Sequence, residues 1–255
     1  MRPLWRIFSC PPLRRVVVLL ALAFIGSAHA QDYAREARWL KETLATLIDG
    51  EPVRIEQKNG HRFLALYQRA RAPRGAVVIA HGRGWGPDFE LYGSLRTKLA
   101  EAGYATLSIQ LPVLESTAKL GDYLPTFVDA DERFALAARW LRDQGHARVA
   151  IVSHSLGATM ANHYLIRERE PIVRAWVFIG IVNGLEDMFR IDIPVLDVYG
   201  SEDWDVTRVG ADERRVQIAR VQGSRQVVVP GARHFFEGRE SDLTRVIVDF
   251  LDATR

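Results

Sequence analysis

Residues 149–160 read VAIVSHSLGATM, an apolar run that ends in two serines around a histidine. The run consists of β-branched and small apolar residues, which predicts a buried strand. Leu156 and Gly157 follow, and helical spacing then continues to Arg167. A serine at a strand-to-helix turn is either a nucleophile raised above a sheet or the N-cap of the helix.

Similar apolar segments recur along the chain and alternate with amphipathic ones. With the segment above included, strands are predicted at 75–82, 104–112, 147–153, 173–181, 194–200 and 225–231, and helices at 91–103, 130–144, 156–167, 212–221 and 241–251. Strands that are apolar on both faces, alternating with such helices, predict a mostly parallel sheet covered on both sides. The fold class is therefore α/β, and ligands of such sheets bind at the carboxyl ends of the strands.

The segment before this alternation has different patterns. Residues 32–48 have helical spacing, with Ala37, Leu40, Leu44 and Leu47 on one face. Two alternating segments flank the turn residues Asn59-Gly60, which predicts an antiparallel hairpin.

The first 30 residues are interpreted as a secretory signal peptide. Four arginines precede or flank a short apolar core at 16–26, and Ala28-His29-Ala30 is an A-x-A cleavage site. The apolar run is too short to cross a bilayer; an uncut N-terminal anchor is the alternative. We therefore expect cleavage after Ala30, a single domain at 31–255, no membrane span once the signal is removed, and a periplasmic or secreted protein.

Removing this leader changes the charge balance. The whole chain has a net charge of +3, but without the four leader arginines 30 basic residues face 31 acidic ones. The basic balance is therefore no indication of nucleic-acid binding. Cys10, the single cysteine, also lies in the leader, so the remaining chain has no thiol for catalysis or metal binding. The histidines show no paired ligand spacing, and we expect no metal and no cofactor.

Polar residues follow three of the predicted strands, in the chain order serine, aspartate, histidine. Ser155 ends one strand, Asp203 follows the strand at 194–200, and His234 follows the strand at 225–231. A serine hydroxyl needs an imidazole to accept its proton, and the imidazole needs a carboxylate to hold its tautomer. These three residues are the predicted nucleophile, acid and base. Asp205 is the rival acid, and Ser153 is interpreted as the small residue that lets the turn close.

The chain resembles the α/β-hydrolase superfamily over roughly 75–251, through the stretches AHGRG, SHSLG, YGSEDWDV and PGARHFFEG. The whole pattern is also similar to uncharacterised secreted proteobacterial hydrolase-like proteins. The superfamily resemblance implies Ser155 as nucleophile, Asp203 as acid and His234 as base. It implies that the backbone N–H groups of Arg83 and Leu156 form the oxyanion hole, while Ser153 stands where the motif usually has glycine.

The loops around these motifs bear on the substrate. Arg83 is a candidate contact for an anionic group of the substrate, and Trp85 is a candidate for lining the acyl or alcohol pocket. The alternative is that Arg83 supplies only its backbone N–H and that Trp85 is packing. His81 is expected to support the loop that contains Arg83 and follows the strand at 75–82; this loop is called the oxyanion loop below. The segment between the strands at 173–181 and 194–200 is too short for a cap domain. Residues 111–128 are the best candidate for a partial cover, through Tyr123, Leu124 and Phe127.

The sequence therefore predicts a secreted serine hydrolase. The favoured activity is hydrolysis of carboxylic esters, in which a small-molecule ester or acylated substrate transfers its acyl group to the serine to form an acyl-enzyme. The alternative is a non-catalytic binding or envelope-associated protein that reuses the fold, since fold alone does not give activity. Among enzymes, a peptidase or amidase uses the same triad. The sequence leaves the oligomeric state open.

Overall fold

The computed structural model describes residues 31–167, 169–182 and 184–254, so the predicted signal peptide and Cys10 lie outside the described residues. In this part of the chain eight strands form one sheet in the order β1-β2-β4-β3-β5-β6-β7-β8. The strands are β1 Glu51–Glu56, β2 Arg62–Gln68, β3 Gly75–Ala80, β4 Tyr104–Ile109, β5 Val149–His154, β6 Val173–Ile179, β7 Val195–Gly200 and β8 Arg225–Val229.

The sheet has an antiparallel edge and a parallel centre. β1 and β2 form the predicted hairpin, and β2 pairs antiparallel with β4. Every other pairing is parallel, and β5 lies between β3 and β6. The predicted fold class is confirmed. Because the carboxyl ends of β3, β5, β7 and β8 meet at one edge, the loops after these strands lie together.

Helices cover both faces of this sheet. Within the described residues the helices are α1 Tyr33–Thr46, α2 Leu91–Glu101, α3 Phe127–Asp143, α4 Leu156–Leu165, α5 Asp205–Val209, α6 Ala211–Ile218 and α7 Glu240–Ala253. α3 and α4 bury one apolar cluster against the sheet, and α2 and α7 bury another on the opposite face. Between β6 and β7 the described chain has only a short 3₁₀ helix at Met188–Arg190, and no cap domain.

The N-terminal helix forms as predicted, but its packing face is different. Of the four residues predicted to share an apolar face, Ala37 and Leu44 are exposed and Leu40 and Leu47 are half-buried, whereas Glu36 is buried. The apolar periodicity was misleading because a charged side chain anchors this helix to the protein. Leu44, which is 45% exposed, therefore adds little to the core.

The anchor is Arg133 of α3, whose side chain is fully buried. Its Nη2 donates to Glu36 Oε1 at 3.0 Å, and its Nη1 donates to the carbonyl of Gln110 at 3.0 Å. Glu36 Oε2 lies 2.9 Å from His61 Nε2, so both carboxylate oxygens are used. Removing one partner of such a buried ion pair costs about 3–5 kcal/mol, because the other charge is left unpaired. A polar network therefore docks α1.

Residues 111–128, which were predicted to form a partial cover, reach the site through only one of the three expected side chains. The segment forms a 3₁₀ helix at Leu120–Thr126 that leads directly into α3. Tyr123 is buried and lines the cleft described below, but Leu124 is exposed and Phe127 packs into the core. Of the three residues expected to face the site, Tyr123 is the one that does. In the described chain, none of the helices is long and apolar enough to cross a bilayer.

Candidate active site

Ser155 occupies the turn between β5 and α4 in a strained backbone conformation. Its φ of +53° and ψ of −123° lie in a region that residues other than glycine rarely adopt. The side chain is 6% exposed, and it lines the cleft. Strain of this kind persists only where the surrounding structure enforces it, and it is characteristic of the turn that presents a nucleophile.

Close packing on both sides enforces this turn. A Cβ at Gly157 would lie 2.3 Å from the carbonyl oxygen of His81, so only glycine lets α4 approach the end of β3. Ser153 points elsewhere: its Oγ accepts from Trp176 Nε1 at 2.9 Å and donates to the carbonyl of Val177 at 3.3 Å. The two serines thus have different surroundings, and only Ser155 reaches the cleft.

The structure brings the three predicted catalytic side chains together. Ser155 Oγ lies 3.1 Å from His234 Nε2, and His234 Nδ1 lies 2.6 Å from Asp203 Oδ1. All three side chains are buried. The carboxylate fixes the proton on Nδ1, which leaves Nε2 as an acceptor that faces the serine hydroxyl. This arrangement has the hydrogen bonds that an activated serine requires.

The structure distinguishes Asp203 from Asp205, the other candidate for the acid. Asp203 Oδ1 also accepts from the N–H of Trp204 at 2.7 Å, which orients the carboxylate towards the imidazole. Asp205 begins α5 with its side chain 87% exposed, where it pairs with Arg208. Gly180 makes room for the carboxylate, because a Cβ there would lie 3.0 Å from Asp203 Oδ2. Asp203 is therefore the carboxylate that contacts His234.

His81 orients the peptide that carries the Arg83 N–H. Leu111 N–H donates to His81 Nε2 at 2.9 Å, so the proton of the neutral ring is on Nδ1, which lies 2.8 Å from the Gly82 carbonyl oxygen. In a trans peptide the N–H of Arg83 points opposite to that carbonyl. Neither this N–H nor the first N–H of α4, on Leu156, contacts an acceptor among the described residues. Leu156 directly follows Ser155, and a Cβ on Gly82, the residue before Arg83, would lie 3.2 Å from Ser155 Cβ, so both peptides belong to segments that contact the serine.

His154 links the oxyanion loop to the loop of the base. Its Nε2 donates to the backbone carbonyl of His234 at 2.9 Å, so Nδ1 is the acceptor for the hydroxyl of Tyr92 at 2.9 Å. The same Tyr92 oxygen accepts from the N–H of Gly82 at 2.8 Å. His154 therefore links these two loops, and it also contributes to the lining of the cleft.

These two histidines are neutral in the folded protein. Burial lowers the pKa of His81 to about 4, and burial together with the nearby His234 lowers the pKa of His154 to about 3. A protonated ring would present an N–H to Leu111 N–H in one case and to the Tyr92 hydroxyl in the other. The hydrogen bond from Leu111 thus requires a neutral His81, and with His154 neutral the Tyr92 hydroxyl donates to its Nδ1.

A cleft of about 1060 Å³ opens above Ser155. Trp85 lines it, as predicted, and stacks on Phe89 with ring centroids 3.6 Å apart. The Arg83 guanidinium donates to the carbonyl of Ala118 at 3.1 Å, which ties the oxyanion loop to the segment before α3. This volume is at the upper end of the range for small-molecule sites.

Three features of the site were not predicted from the sequence. Trp204 stacks on the imidazole of His234 at 3.6 Å with the planes 16° apart, and it is half exposed. Tyr92 bridges two loops, and α1 lines the cleft through Trp39. The position of Trp204 directly after the predicted acid was a usable signal. Nothing in the sequence connects Tyr92 or Trp39 to residues so distant in the chain.

Sequence comparisons match this chain to a protein-family profile. The profile of a family described as a protein of unknown function (DUF3530) matches residues 23–132. No curated protein matches the sequence.

Within the described residues, no group of three or more His, Cys, Asp or Glu side chains is arranged to hold a metal ion.

Solved structures similar to this chain are α/β hydrolases. A dienelactone hydrolase from Anabaena variabilis is 22% identical, with a TM-score of 0.63 over 81% of this chain and 98% of that one. XC6422 from Xanthomonas campestris, an α/β serine hydrolase without a lid, is 14% identical, with a TM-score of 0.63 over 80% and 94%. Est1E from Butyrivibrio proteoclasticus, solved with ferulic acid, is 14% identical, with a TM-score of 0.62 over 79% and 98%.

The neutral histidines make stability depend on pH. Because both folded pKa values lie below the ordinary value of 6.5, the unfolded chain binds more protons, and stability is lost as the pH falls below 6.5. We expect His81 and His154 together to lower the free energy of unfolding by about 2–3 kcal/mol between pH 7.5 and 5.5. Urea unfolding at the two pH values measures this. His154→Gln should lose about half of the effect, and equal stability at both pH values in the wild type would contradict the prediction.

Proposed function

We propose that this chain, which has the α/β-hydrolase fold, is a serine hydrolase of carboxylic esters. The observation that carries the proposal is the continuous hydrogen-bonded series from Ser155 Oγ through His234 to Asp203 Oδ1. The backbone N–H groups of Arg83 and Leu156, which contact no acceptor among the described residues, support it. A binding protein has no need for a strained serine aligned with an imidazole and a carboxylate.

In the first half of the reaction, Ser155 Oγ attacks the ester carbonyl and His234 Nε2 accepts its proton. The N–H groups of Arg83 and Leu156 stabilise the oxyanion, and the Leu156 N–H adds the positive end of the α4 dipole. Asp203 stabilises the imidazolium through Nδ1–H. The tetrahedral intermediate then collapses, and His234 Nε2–H protonates the departing alcohol, which leaves an acyl group on Ser155.

In the second half, a water molecule takes the place of the alcohol. His234 Nε2 accepts a proton from this water, and the resulting hydroxide attacks the acyl carbonyl. The same two N–H groups stabilise the second oxyanion. The C–O bond to Ser155 breaks, Oγ regains its proton from His234, and the carboxylic acid is released. Because the cleft is open to solvent, water reaches the acyl-enzyme without displacement of a cap.

Replacing Ser155 with alanine tests the nucleophile. We expect the wild type to be labelled by a fluorophosphonate probe and to hydrolyse 4-nitrophenyl acetate, and Ser155→Ala to lose the labelling and at least about 10³-fold in kcat. Ser153→Ala is the matched control and should keep the labelling. A folded wild type that is neither labelled nor active would refute the proposal and favour the non-catalytic binding protein.

The two aspartates give a second, independent test. Asp203→Asn should lower kcat by about 10⁴-fold, because the amide no longer holds the productive tautomer of His234. Asp205→Asn removes an exposed carboxylate two residues away and should leave kcat within about twofold. Steady-state kinetics on 4-nitrophenyl acetate compares them. A larger loss in Asp205→Asn than in Asp203→Asn would reverse the assignment.

We also propose that the protein is exported and cut after Ala30, on the basis of its basic N-terminal region, apolar core and A-x-A site. Expressed from the full sequence in a bacterium, the protein should be recovered from the periplasm or medium with Gln31 as its first residue. Intact mass and N-terminal sequencing measure this, with Ala28→Arg as the control that blocks cleavage. Recovery of the uncut chain from the cytoplasm would contradict it.

A further inference from the structure

The N-terminal helix α1 contributes one wall of the cleft that contains Ser155. Its side chains Arg35, Trp39, Glu42, Thr43 and Thr46 all line the same cleft as Ser155. The helix is not loosely attached, because the buried Arg133–Glu36 pair docks it. This wall is therefore a fixed part of the cleft.

The oxyanion loop connects Ser155 to this wall over a short distance. At one end, a Cβ on Gly82 would lie 3.2 Å from Ser155 Cβ. At the other end, a Cβ on Gly86 would lie 3.7 Å from Trp39 Cε3, and one on Gly84 would lie 3.8 Å from Arg35 Nη2. The chain from Gly82 to Gly86 spans at most about 14 Å. A group attached to the scissile ester thus reaches Trp39 through one or two ring-sized units.

The wall is polar around a single aromatic ring. Trp39 is half-buried, and the Arg35 guanidinium lies 4.5 Å from its ring centroid, which holds the indole in place. Glu42, Thr43 and Thr46 supply a carboxylate and two hydroxyl groups. Four further aromatic side chains from outside α1, those of Trp85, Phe89, Phe235 and Trp204, also line the cleft.

This composition restricts what the wall binds. A long aliphatic chain requires an apolar surface, whereas most of the α1 residues in the cleft are charged or carry a hydroxyl. An anionic group requires unopposed positive charge, whereas Arg35 and Arg83 share the cleft with Glu42 and Glu115. Mixed donors and acceptors around one indole suit a neutral ligand with many hydroxyl groups, which offers both hydrogen bonds and C–H groups to the ring.

We propose that the α1 wall is a subsite for a sugar unit, so that the substrate is an O-acylated carbohydrate whose sugar ring binds at Trp39. This inference rests on the proposed ester hydrolysis and specifies its substrate class. Trp39 supplies the stacking surface, and Thr43 and Glu42 bind the hydroxyl groups. Arg35 is a positioning residue that fixes the indole.

A matched pair of acetate esters tests the subsite. 6-O-acetylglucose and cyclohexylmethyl acetate share the acyl group and a six-membered ring one carbon from the ester, and differ in the ring hydroxyls. The wild type should have the higher kcat/KM for the sugar ester. Trp39→Ala should lower the ratio of the two kcat/KM values about tenfold, through KM of the sugar ester. Thr43→Val, which removes a hydroxyl at equal volume, should lower it about fivefold.

Leu44→Ala is the control, because Leu44 lies on the exposed side of the same helix. It should leave the ratio unchanged, and thermal unfolding should show all three variants folded. A wild type that hydrolyses both esters equally, or prefers the cyclohexylmethyl ester, overturns the subsite. So does a Trp39→Ala variant that loses activity equally on both.

Binding separates this inference from the proposed function. Calorimetric titration of Ser155→Ala with 6-O-acetylglucose should give measurable binding that is lost when Trp39→Ala is added. If the wild type hydrolyses no ester but this binding is seen, the hydrolase proposal fails and the sugar subsite stands. If esters are hydrolysed and no binding is seen, the subsite is overturned and the hydrolase proposal stands.

Discussion

The close approach of α4 to the end of β3 is the constraint on which the site depends. Gly157 lies so near the carbonyl of His81 that no side chain fits between them, and this contact holds Ser155 at a positive φ. The same contact places the first N–H of α4 beside the oxyanion loop. Nucleophile and oxyanion donors are thus set by one packing contact in the middle of the sheet, where β5 is paired on both sides.

Two neutral histidines, His81 and His154, hold the loops around this packing contact in place. His81 fixes the peptide before Arg83, and His154, through Tyr92, joins the oxyanion loop to the loop that carries His234. Each hydrogen bond in this network has one possible donor, since a backbone N–H or carbonyl at its end determines the direction of the others. Buried polar groups that are fully paired in this way rigidify a site, whereas a half-paired network would destabilise it.

A second polar network determines the shape of the cleft. Arg133 holds α1 through Glu36, and it also binds the carbonyl of Gln110, the residue before the Leu111 N–H that fixes His81. The wall of the cleft and the brace of the oxyanion loop thus meet at one segment after β4. This shared support explains why a helix that buries little apolar surface is held beside the site.

The sequence by itself determined the order of strands and helices, the α/β class, and the positions of Ser155, Asp203 and His234 at strand ends. Local periodicity and turn residues carry this information, because they reflect burial and short-range geometry. Only the tertiary structure decided that Asp203 and not Asp205 contacts His234, that Trp204 stacks on the imidazole, and that α1 buries Glu36 while it exposes Leu44. Each of these depends on contacts between segments far apart in the chain, and a buried ion pair outweighed the apolar pattern of α1.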